Sequence, residues 1–139
     1  MKRVTGIGGI FFKSDNPKKT RDWYKKHLGI DNGKYGGTFE WRHASNPERK
    51  GYTAWSIFDS KTTYTEPSSK EFMINYRVDD LEALLKVLKK EGVQVIGEIE
   101  TFEYGKFGWI MDPDGIKIEL WEPNDEAYEK IKGETNLSE

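Results

Sequence analysis

Apolar and polar positions alternate along the chain in a way that predicts seven strands and two amphipathic helices. Runs of about four to eight apolar or alternating residues, bounded by Gly, Pro, Asn or Asp, are typical of strands. The predicted strands cover residues 6–13, 38–43, 52–58, 72–78, 93–102, 107–111 and 116–121. The predicted helices cover 16–28 and 80–91, each with Asp or Asn at its start and Gly after its end.

The same strand–helix–strands pattern occurs twice, with a constant offset. Asp15 falls on Asp79 (79 − 15 = 64) and Gly51 falls on Gly115 (115 − 51 = 64). Such regularity is typical of a duplicated module. The predicted parts are a first module at about 4–60, a Thr-, Ser- and Pro-rich linker at 61–70, a second module at about 71–123, and a tail at 124–139 with one short helix at 125–131.

The last two predicted strands form a hairpin around the turn Asp112-Pro113-Asp114-Gly115. Successive side chains of a strand point to opposite faces. Ile118 and Leu120 are therefore predicted to face the core, and Glu119 to face the other side together with Lys117 and Trp121. That second face carries the candidate chemistry.

The chain resembles the vicinal-oxygen-chelate superfamily. The resemblance covers about residues 5–123 and is carried by Asp-Pro-Asp-Gly-x-x-Ile-Glu-Leu at 112–120 and by a first helix that ends in Tyr-x-x-x-Leu-Gly at 24–29. It implies an α+β fold of two βαβββ modules related by pseudo-twofold symmetry, with a cavity between two curved sheets. Glyoxalases, extradiol dioxygenases and bleomycin-resistance proteins belong to this superfamily.

Metal-using members of that superfamily hold one divalent ion with side chains from four positions. Two of these positions lie in each module, at equivalent places. The resemblance and the offset place Gly9, Trp55, Met73 and Glu119 there (73 − 9 = 64; 119 − 55 = 64). Glu119 is the one retained ligand position, so no metal is expected. The two histidines are interpreted as a helix-end residue, His27, and a residue at a pocket rim, His43.

Strand parity predicts which other side chains line the cavity. Large aromatic rings supply contact area and a few polar groups orient a ligand, a combination typical of small-molecule sites. The expected ligand-binding residues are Phe11, Trp55, Met73, Asn75, Arg77, Lys117 and Trp121, and Glu119 is the candidate catalytic residue. Ile57 is also expected to face inward.

An alternative is that Trp55 and Trp121 fill the cavity and that Lys117 or Arg77 holds Glu119 as an ion pair. Arg77 could instead grip an anionic ligand.

The composition of the chain excludes some classes of binding partner and some chemistry. Twenty-two basic and 24 acidic residues give a net charge of −2, which argues against nucleic acid as a partner. The absence of cysteine excludes disulfides and thiolate chemistry. No apolar run has membrane-spanning length, and no signal peptide is evident, so a cytoplasmic location without a membrane partner is expected.

The leading hypothesis is a metal-independent protein that binds a small amphipathic or aromatic molecule, with no cofactor. An alternative is a divalent-metal-dependent lyase, isomerase or dioxygenase of the same superfamily that uses Glu119. A third is a structural or regulatory domain with a filled cavity. Because uncovered sheet edges promote association, a homodimer is expected.

Overall fold

The computed structural model describes residues 2–135. Seven strands and three helices occur in this part of the chain. The strands are β1 (Val4–Ser14), β2 (Gly37–His43), β3 (Asn46–Asp59), β4 (Phe72–Val78), β5 (Val95–Phe102), β6 (Gly105–Met111) and β7 (Lys117–Pro123). The helices are α1 (Pro17–Leu28), α2 (Leu81–Lys90) and α3 (Asp125–Thr135). The helix predicted in the tail is present and extends four residues beyond its predicted end; residues 136–139 lie outside the described part.

All seven strands belong to one mixed sheet with the order β2-β3-β1-β4-β7-β6-β5. The pairs β1–β3 and β4–β7 are parallel, and the other neighbours are antiparallel. The α+β class with two similar modules is confirmed. The modules do not form two facing sheets, however, because β1 and β4 join them edge to edge. In the first module the place of a further strand is taken by a single bridge between Gly33 and Gly36.

The β1–β4 pairing contains the pseudo-twofold axis. Gly9 pairs with Asn75 and Phe11 pairs with Met73. At the offset of 64, Gly9 is equivalent to Met73 (9 + 64 = 73) and Asn75 is equivalent to Phe11 (75 − 64 = 11). The first pair is therefore related to the second by the duplication. The helix caps keep the same offset, because Asn16 caps α1 and Asp80 caps α2 (80 − 16 = 64). The predicted duplication is therefore real in the first strand and helix of each module.

The offset changes by one residue in the last strand of each module. Phe11 pairs with Ser56 across β1–β3 (56 − 11 = 45), whereas Asn75 pairs with Glu119 across β4–β7 (119 − 75 = 44). A shift of one residue moves a side chain to the opposite face of a sheet. Ser56, and not Trp55, is therefore the structural equivalent of Glu119 (119 − 56 = 63).

The offset also fails at the pair of glycines used to derive it, Gly51 and Gly115. Gly115 lies in the β6–β7 turn at φ 80°. Gly51 instead lies within β3, paired with Trp41, and its backbone is covered by the indole ring. The β2–β3 hairpin turns at residues 44–45, so β3 begins well before its predicted start. The equivalence of Gly51 and Gly115 was wrong.

The main core lies between α2 and the second half of the sheet. It is formed by Val78, Leu81, Leu84, Leu85 and Leu120, all buried. The first half is covered less completely, since α1 has no buried residue and Trp23 is 51% exposed. Thr20 and Tyr24 face the sheet, where they contact Ser14 and Trp55. Leu28, an apolar residue at the end of α1, is exposed like Trp23.

The acidic turn at residues 112–115 is stabilised by its own side chains. The side chain of Asp112 accepts hydrogen bonds from the backbone N–H groups of Asp114 and Ile116 (2.8 and 2.9 Å), which explains the acidic turn without an ion. No helix within residues 2–135 has both the length and the apolar character needed to cross a membrane.

Candidate functional site around Glu119

The face of the sheet opposite α1 and α2, here called the inner face, collects most of the predicted site residues. Strand register places seven of them there: Phe11, Met73, Asn75, Arg77, Lys117, Glu119 and Trp121. Two segments outside the sheet lie across this face. One is the connecting segment, residues 60–71 between β3 and β4, and the other is α3.

Glu119 is the polar centre of the inner face. Its residue is 3% exposed, and both carboxylate oxygens accept hydrogen bonds from neutral groups. The Asn75 amide donates to Oε1 (2.7 Å), while the Trp109 indole N–H (2.9 Å) and the Tyr64 hydroxyl donate to Oε2. These four residues are called the Glu119 cluster. A buried carboxylate without such donors costs several kcal/mol, so the cluster keeps Glu119 inside the fold.

A close backbone approach allows Asn75 to reach Glu119. Gly8 lies on β1 at an irregularity in the β1–β4 register. A Cβ at this position would lie 2.2 Å from Asn75 Oδ1 and 3.0 Å from the Trp121 ring. Any larger residue would push Asn75 away from the carboxylate. Gly8 therefore serves packing around the site.

Tyr64 brings the connecting segment onto the cluster. Its ring contacts Phe58 and Trp109 edge to face, with centroid distances of 5.9 and 6.3 Å. The residue is 44% exposed although its hydroxyl reaches Glu119. Burial, followed by the charge of Glu119, raises the pKa of the Tyr64 hydroxyl well above its ordinary value. The phenol therefore stays a hydrogen-bond donor over the whole neutral range.

Lys117 lies next to the Glu119 cluster and contacts Tyr64 and Trp109. Its ammonium donates to the Tyr64 carbonyl (2.7 Å) and lies over the Tyr64 and Trp109 rings at 5.3 and 5.6 Å from their centroids. Burial lowers the pKa of Lys117, and the charge of Glu119 opposes that shift. The ion pair between Glu119 and Lys117 or Arg77, which the sequence left open as an alternative, is not formed, because each cation has another partner.

Arg77 forms a second polar centre on the inner face. Its guanidinium donates to Asp125 of α3 (2.6 Å) and to the Tyr52 carbonyl (3.2 Å). The Trp41 and Trp121 rings lie 4.9 and 5.3 Å from its central carbon. The anion that Arg77 grips is therefore a carboxylate of this chain, at a position where the sequence suggested a ligand.

Trp55 is not on the inner face, contrary to the sequence prediction. Its ring packs against Phe12 and against Tyr24 of α1, with centroid distances of 5.6 and 5.1 Å. Ile57 pairs with Phe12 and shares this outer face. The one-residue change of offset explains both errors. Phe58 takes the inner position instead and stacks on Phe11 at 5.2 Å.

The two histidines make their contacts outside the Glu119 cluster. His27 is an exposed residue of α1 beside Trp23. His43 lies at the end of β2 beside Trp41 and lines a separate cavity together with Arg77. The expectation that His43 reaches a pocket rim therefore fits its position, although that pocket is not lined by Glu119.

The residues at the family's metal positions do not fit a divalent ion. Gly9 and Met73 offer no hard or borderline donor, and the Phe11 ring occupies the space beside Gly9. Ser56 adds one hydroxyl at most. Both oxygens of Glu119 face N–H or O–H donors, which repel a cation. Among the side chains that the structure describes, no three His, Cys, Asp or Glu residues are grouped as a metal site requires.

Sequence reasoning missed two members of the Glu119 cluster for different reasons. Trp109 pairs with Glu119 across the β6–β7 hairpin and shares its face, so the register around the turn at 112–115 contained the signal. Tyr64 lies in a segment without periodicity. Nothing in the pattern of that segment indicates that its ring folds back over the sheet.

Comparison with known proteins agrees with this architecture. The sequence model of the "Glyoxalase/Bleomycin resistance protein/Dioxygenase superfamily" matches residues 6–120, which confirms the resemblance noted from the sequence. No relative is found among curated protein sequences.

Solved structures share the fold at low sequence identity. Methylmalonyl-CoA epimerase from Mycobacterium tuberculosis is 19% identical with a TM-score of 0.57, over 88% of this chain and 91% of that one. A variant of the Streptomyces coelicolor methylmalonyl-CoA epimerase, in complex with 2-nitronate-propionyl-CoA, is 14% identical with a TM-score of 0.62, over 87% and 99%. A protein from Legionella pneumophila described as NAD-dependent benzaldehyde dehydrogenase is 12% identical with a TM-score of 0.54, over 84% and 98%.

Replacing Tyr64 by Phe is expected to destabilise the fold by about 1–3 kcal/mol near neutral pH, because a buried carboxylate oxygen loses a donor. The matched control is Tyr35→Phe, at a tyrosine that is 61% exposed, which is expected to change stability by less than about 0.5 kcal/mol. Urea unfolding of the three proteins measures the difference.

The pH dependence of that difference has a definite sign. The folded-state pKa of Tyr64 is raised, so its contribution is fully present below the pKa of an unfolded tyrosine, about 10, and decreases above it. The stability gap between wild type and Tyr64→Phe is therefore expected to shrink above about pH 10. Equal stability of the Tyr64 and Tyr35 variants at neutral pH would contradict the assigned hydrogen bond.

Proposed function

We propose that this chain, which belongs to the glyoxalase/bleomycin resistance protein/dioxygenase superfamily, binds a small amphipathic or aromatic molecule on the inner face, without a metal. Glu119 is the group that orients the ligand. The observation that carries the proposal is the Glu119 cluster itself, in which a half-exposed aromatic side chain from outside the sheet donates to a buried carboxylate.

Tyr64 indicates what kind of ligand suits this place. Its ring contacts the apolar walls formed by Phe58 and Trp109, and its hydroxyl satisfies Glu119. A ligand that replaces Tyr64 has to supply the same two features, a flat apolar body and one hydrogen-bond donor. A phenol is the simplest molecule of that class.

Movement of the connecting segment would open the site. Tyr64 joins this segment to the sheet through its hydroxyl and through the Lys117 bond to its carbonyl. In these two hydrogen bonds the sheet contributes the Glu119 carboxylate and the Lys117 ammonium. A polar ligand can form hydrogen bonds with both of these groups. Displacement of Tyr64 would therefore exchange one set of bonds for another instead of leaving Glu119 and Lys117 without partners.

The remaining inner-face residues have supporting roles in the proposal. Asn75 fixes the Glu119 carboxylate from the β4 side, and Phe11 extends the apolar wall through its stack with Phe58. Met73 is fully buried and pairs with Phe11 across β1 and β4. Arg77 and Trp121 hold α3 in place through Asp125 and Tyr128. Trp55 has no part in binding, since its ring packs on α1.

The metal-dependent lyase, isomerase or dioxygenase considered from the sequence gains no support from these residues. The neutral donors around Glu119 favour a hydrogen-bonded ligand over a coordinated ion. The epimerase activity named for the similar solved structures belongs to those proteins, and their identity of 14–19% to this chain shows the fold alone.

We also propose that the chain forms a homodimer. Val4, Ile7, Ile10 and Phe72 are all more than a third exposed on the strands where the two modules meet. Burying such apolar surface against a second copy is favourable. Sedimentation as a monomer at high protein concentration would contradict this proposal.

Glu119→Gln is expected to keep the fold and to weaken binding of a phenol by about 1–3 kcal/mol, the usual cost of a lost charged hydrogen bond. The probe is p-cresol, and binding is followed by tryptophan fluorescence, since Trp109 is part of the cluster. The titration is best made in a Tyr64→Ala background, where the place of the phenol is vacated. Toluene, which lacks the hydroxyl, is expected to bind this background more weakly than p-cresol and to be insensitive to Glu119→Gln.

Glu126→Gln is the matched control for the loss of one carboxylate, because Glu126 is exposed on α3. It is expected to leave p-cresol affinity unchanged. Equal affinities of p-cresol for the Tyr64→Ala protein with and without Glu119→Gln would remove Glu119 from the site. No binding at all would favour a structural domain with a filled inner face.

The purified protein is expected to contain no stoichiometric zinc, nickel, iron or manganese when metal is not added, because a single carboxylate held by neutral donors does not retain a divalent ion. Elemental analysis by plasma mass spectrometry measures this directly. One tightly held ion per chain, whose removal by a chelator abolishes p-cresol binding, would show the metal-free assignment to be wrong.

A further inference from the structure

A cavity lies at the end of the inner face that is away from the Glu119 cluster. It has a volume of about 440 Å³ and is bordered by the start of the chain, the β2–β3 hairpin and the ends of β4 and β7. Its charged lining side chains are Lys2, Arg42, Arg49, Arg77, Asp79 and Glu122. Four cations and two acids give a formal charge of 4 − 2 = +2.

Three of these charged groups already have partners within the fold. The Arg42 guanidinium donates to the Pro47 carbonyl (3.3 Å), which leaves its other N–H groups for a ligand. Arg77 is paired with Asp125 (2.6 Å), and Glu122 Oε1 accepts the Leu81 backbone N–H (2.9 Å) at the start of α2. Lys2, Arg42 and Arg49 form no ion pair with any residue between 2 and 131. The cavity therefore brings these three cations to one place on a chain whose net charge is −2.

His43 is the second observation that points to an anion. It lines the same cavity, and its Nε2 is buried without a hydrogen-bond partner among the described groups. A buried polar atom without a partner is costly, and in native proteins it calls for an explanation, such as a water or an ion that completes its hydrogen bonding. The Trp41 ring lies 5.0 Å from the imidazole, centroid to centroid, and shields it.

We infer that this cavity binds a small oxyanion, a carboxylate or phosphate group, held by Arg42, Arg49 and Lys2 and hydrogen-bonded by the protonated imidazole of His43. Guanidinium groups are well suited to such anions because they donate two parallel hydrogen bonds. The site differs from the Glu119 cluster in chemistry and in lining residues. It does not depend on the proposed function.

Binding at this site is coupled to proton uptake. In the free protein, burial first and then the charges of Arg49 and Arg77 lower the pKa of His43, while Asp125 and the Lys50 backbone oppose that shift. Lys2 and Arg42 add positive charge across the cavity, and Asp79 and Glu122 add negative charge. An oxyanion next to Nε2 supplies an acceptor and a negative charge, so it favours the protonated ring.

Sulfate is the probe that tests the site, because it remains a dianion at every pH used. Tryptophan fluorescence, to which Trp41 in the cavity lining contributes, is titrated with sulfate at constant ionic strength and pH 6. The proteins compared are wild type, Arg49→Gln, Arg42→Gln and Lys19→Gln. Lys19 is exposed on α1, far along the chain from the cavity, and is the matched control for the loss of one positive charge. We expect each arginine variant to raise Kd about tenfold and Lys19→Gln to leave it nearly unchanged.

The histidine is tested by the pH dependence of the same titration. Wild type is expected to bind sulfate about tenfold more tightly at pH 5.5 than at pH 8, and His43→Asn is expected to lose most of that difference. Thermal melting of each variant checks that the fold is retained. A pH dependence that is identical in wild type and His43→Asn would remove His43 from the site.

Two further probes separate the sources of the anion. Methyl phosphate represents phosphate monoesters and malonate represents dicarboxylates; the one that binds more tightly at pH 7 identifies the class. If the arginine variants and Lys19→Gln weaken binding equally, sulfate responds only to total charge and the inference is overturned. The absence of saturable binding of all three anions would overturn it as well.

Discussion

The burial of one carboxylate is the constraint on which the inner face depends. Glu119 is taken out of water by β4, β6 and β7, and its charge is compensated by an amide, an indole and a phenol, with no cation among the described side chains bonded to it. Each donor comes from a different part of the chain. Gly8 leaves room for the amide, β6 is in register to place the indole, and the connecting segment supplies the phenol. Because all three donors bind the two carboxylate oxygens of Glu119, the loss of one donor changes the surroundings of the other two.

The strands of the two modules do not supply all the partners of the two buried charged groups on the inner face, Glu119 and Arg77. Glu119 takes one donor from the connecting segment, and Arg77 takes its carboxylate from α3. Both partners lie outside the paired strands. In a protein built from a duplicated module, such additions can change what the shared face binds without changing the sheet. This separation between a shared architecture and an individual site explains why solved structures at 12–19% identity resemble the fold and say nothing about the ligand.

Much of the fold could be predicted because local signals and the repeat agree. The caps at Asn16 and Asp80 mark both helix starts, and alternation in β7 correctly separates Leu120 from Glu119. These features depend only on residues close in sequence. The position of β3 depends on the pairing with β1, where one additional residue reverses the two faces. The offset that correctly related Asn16 to Asp80 therefore placed Trp55 on the wrong face.

The partners of the charged groups could not be predicted for a related reason. Parity placed Lys117 and Arg77 on the same face as Glu119, and an ion pair is the simplest expectation from three charges on one face. The structure instead connects Lys117 to a backbone carbonyl of the connecting segment and Arg77 to α3. Neither segment has an apolar period that fixes its path. Their positions follow from tertiary contacts, which a single sequence does not display.

The central claim, that Glu119 is held as a buried carboxylate by Trp109 and Tyr64, is tested most directly by the indole N–H signals in a ¹H–¹⁵N spectrum. The protein has five tryptophans, and Trp109→Phe identifies the signal of Trp109. This N–H is expected to exchange slowly with solvent, and both its chemical shift and its protection are expected to change on Glu119→Gln, with a smaller change on Tyr64→Phe. A Trp109 N–H that exchanges as fast as that of the exposed Trp23, and does not respond to Glu119→Gln, would contradict the account.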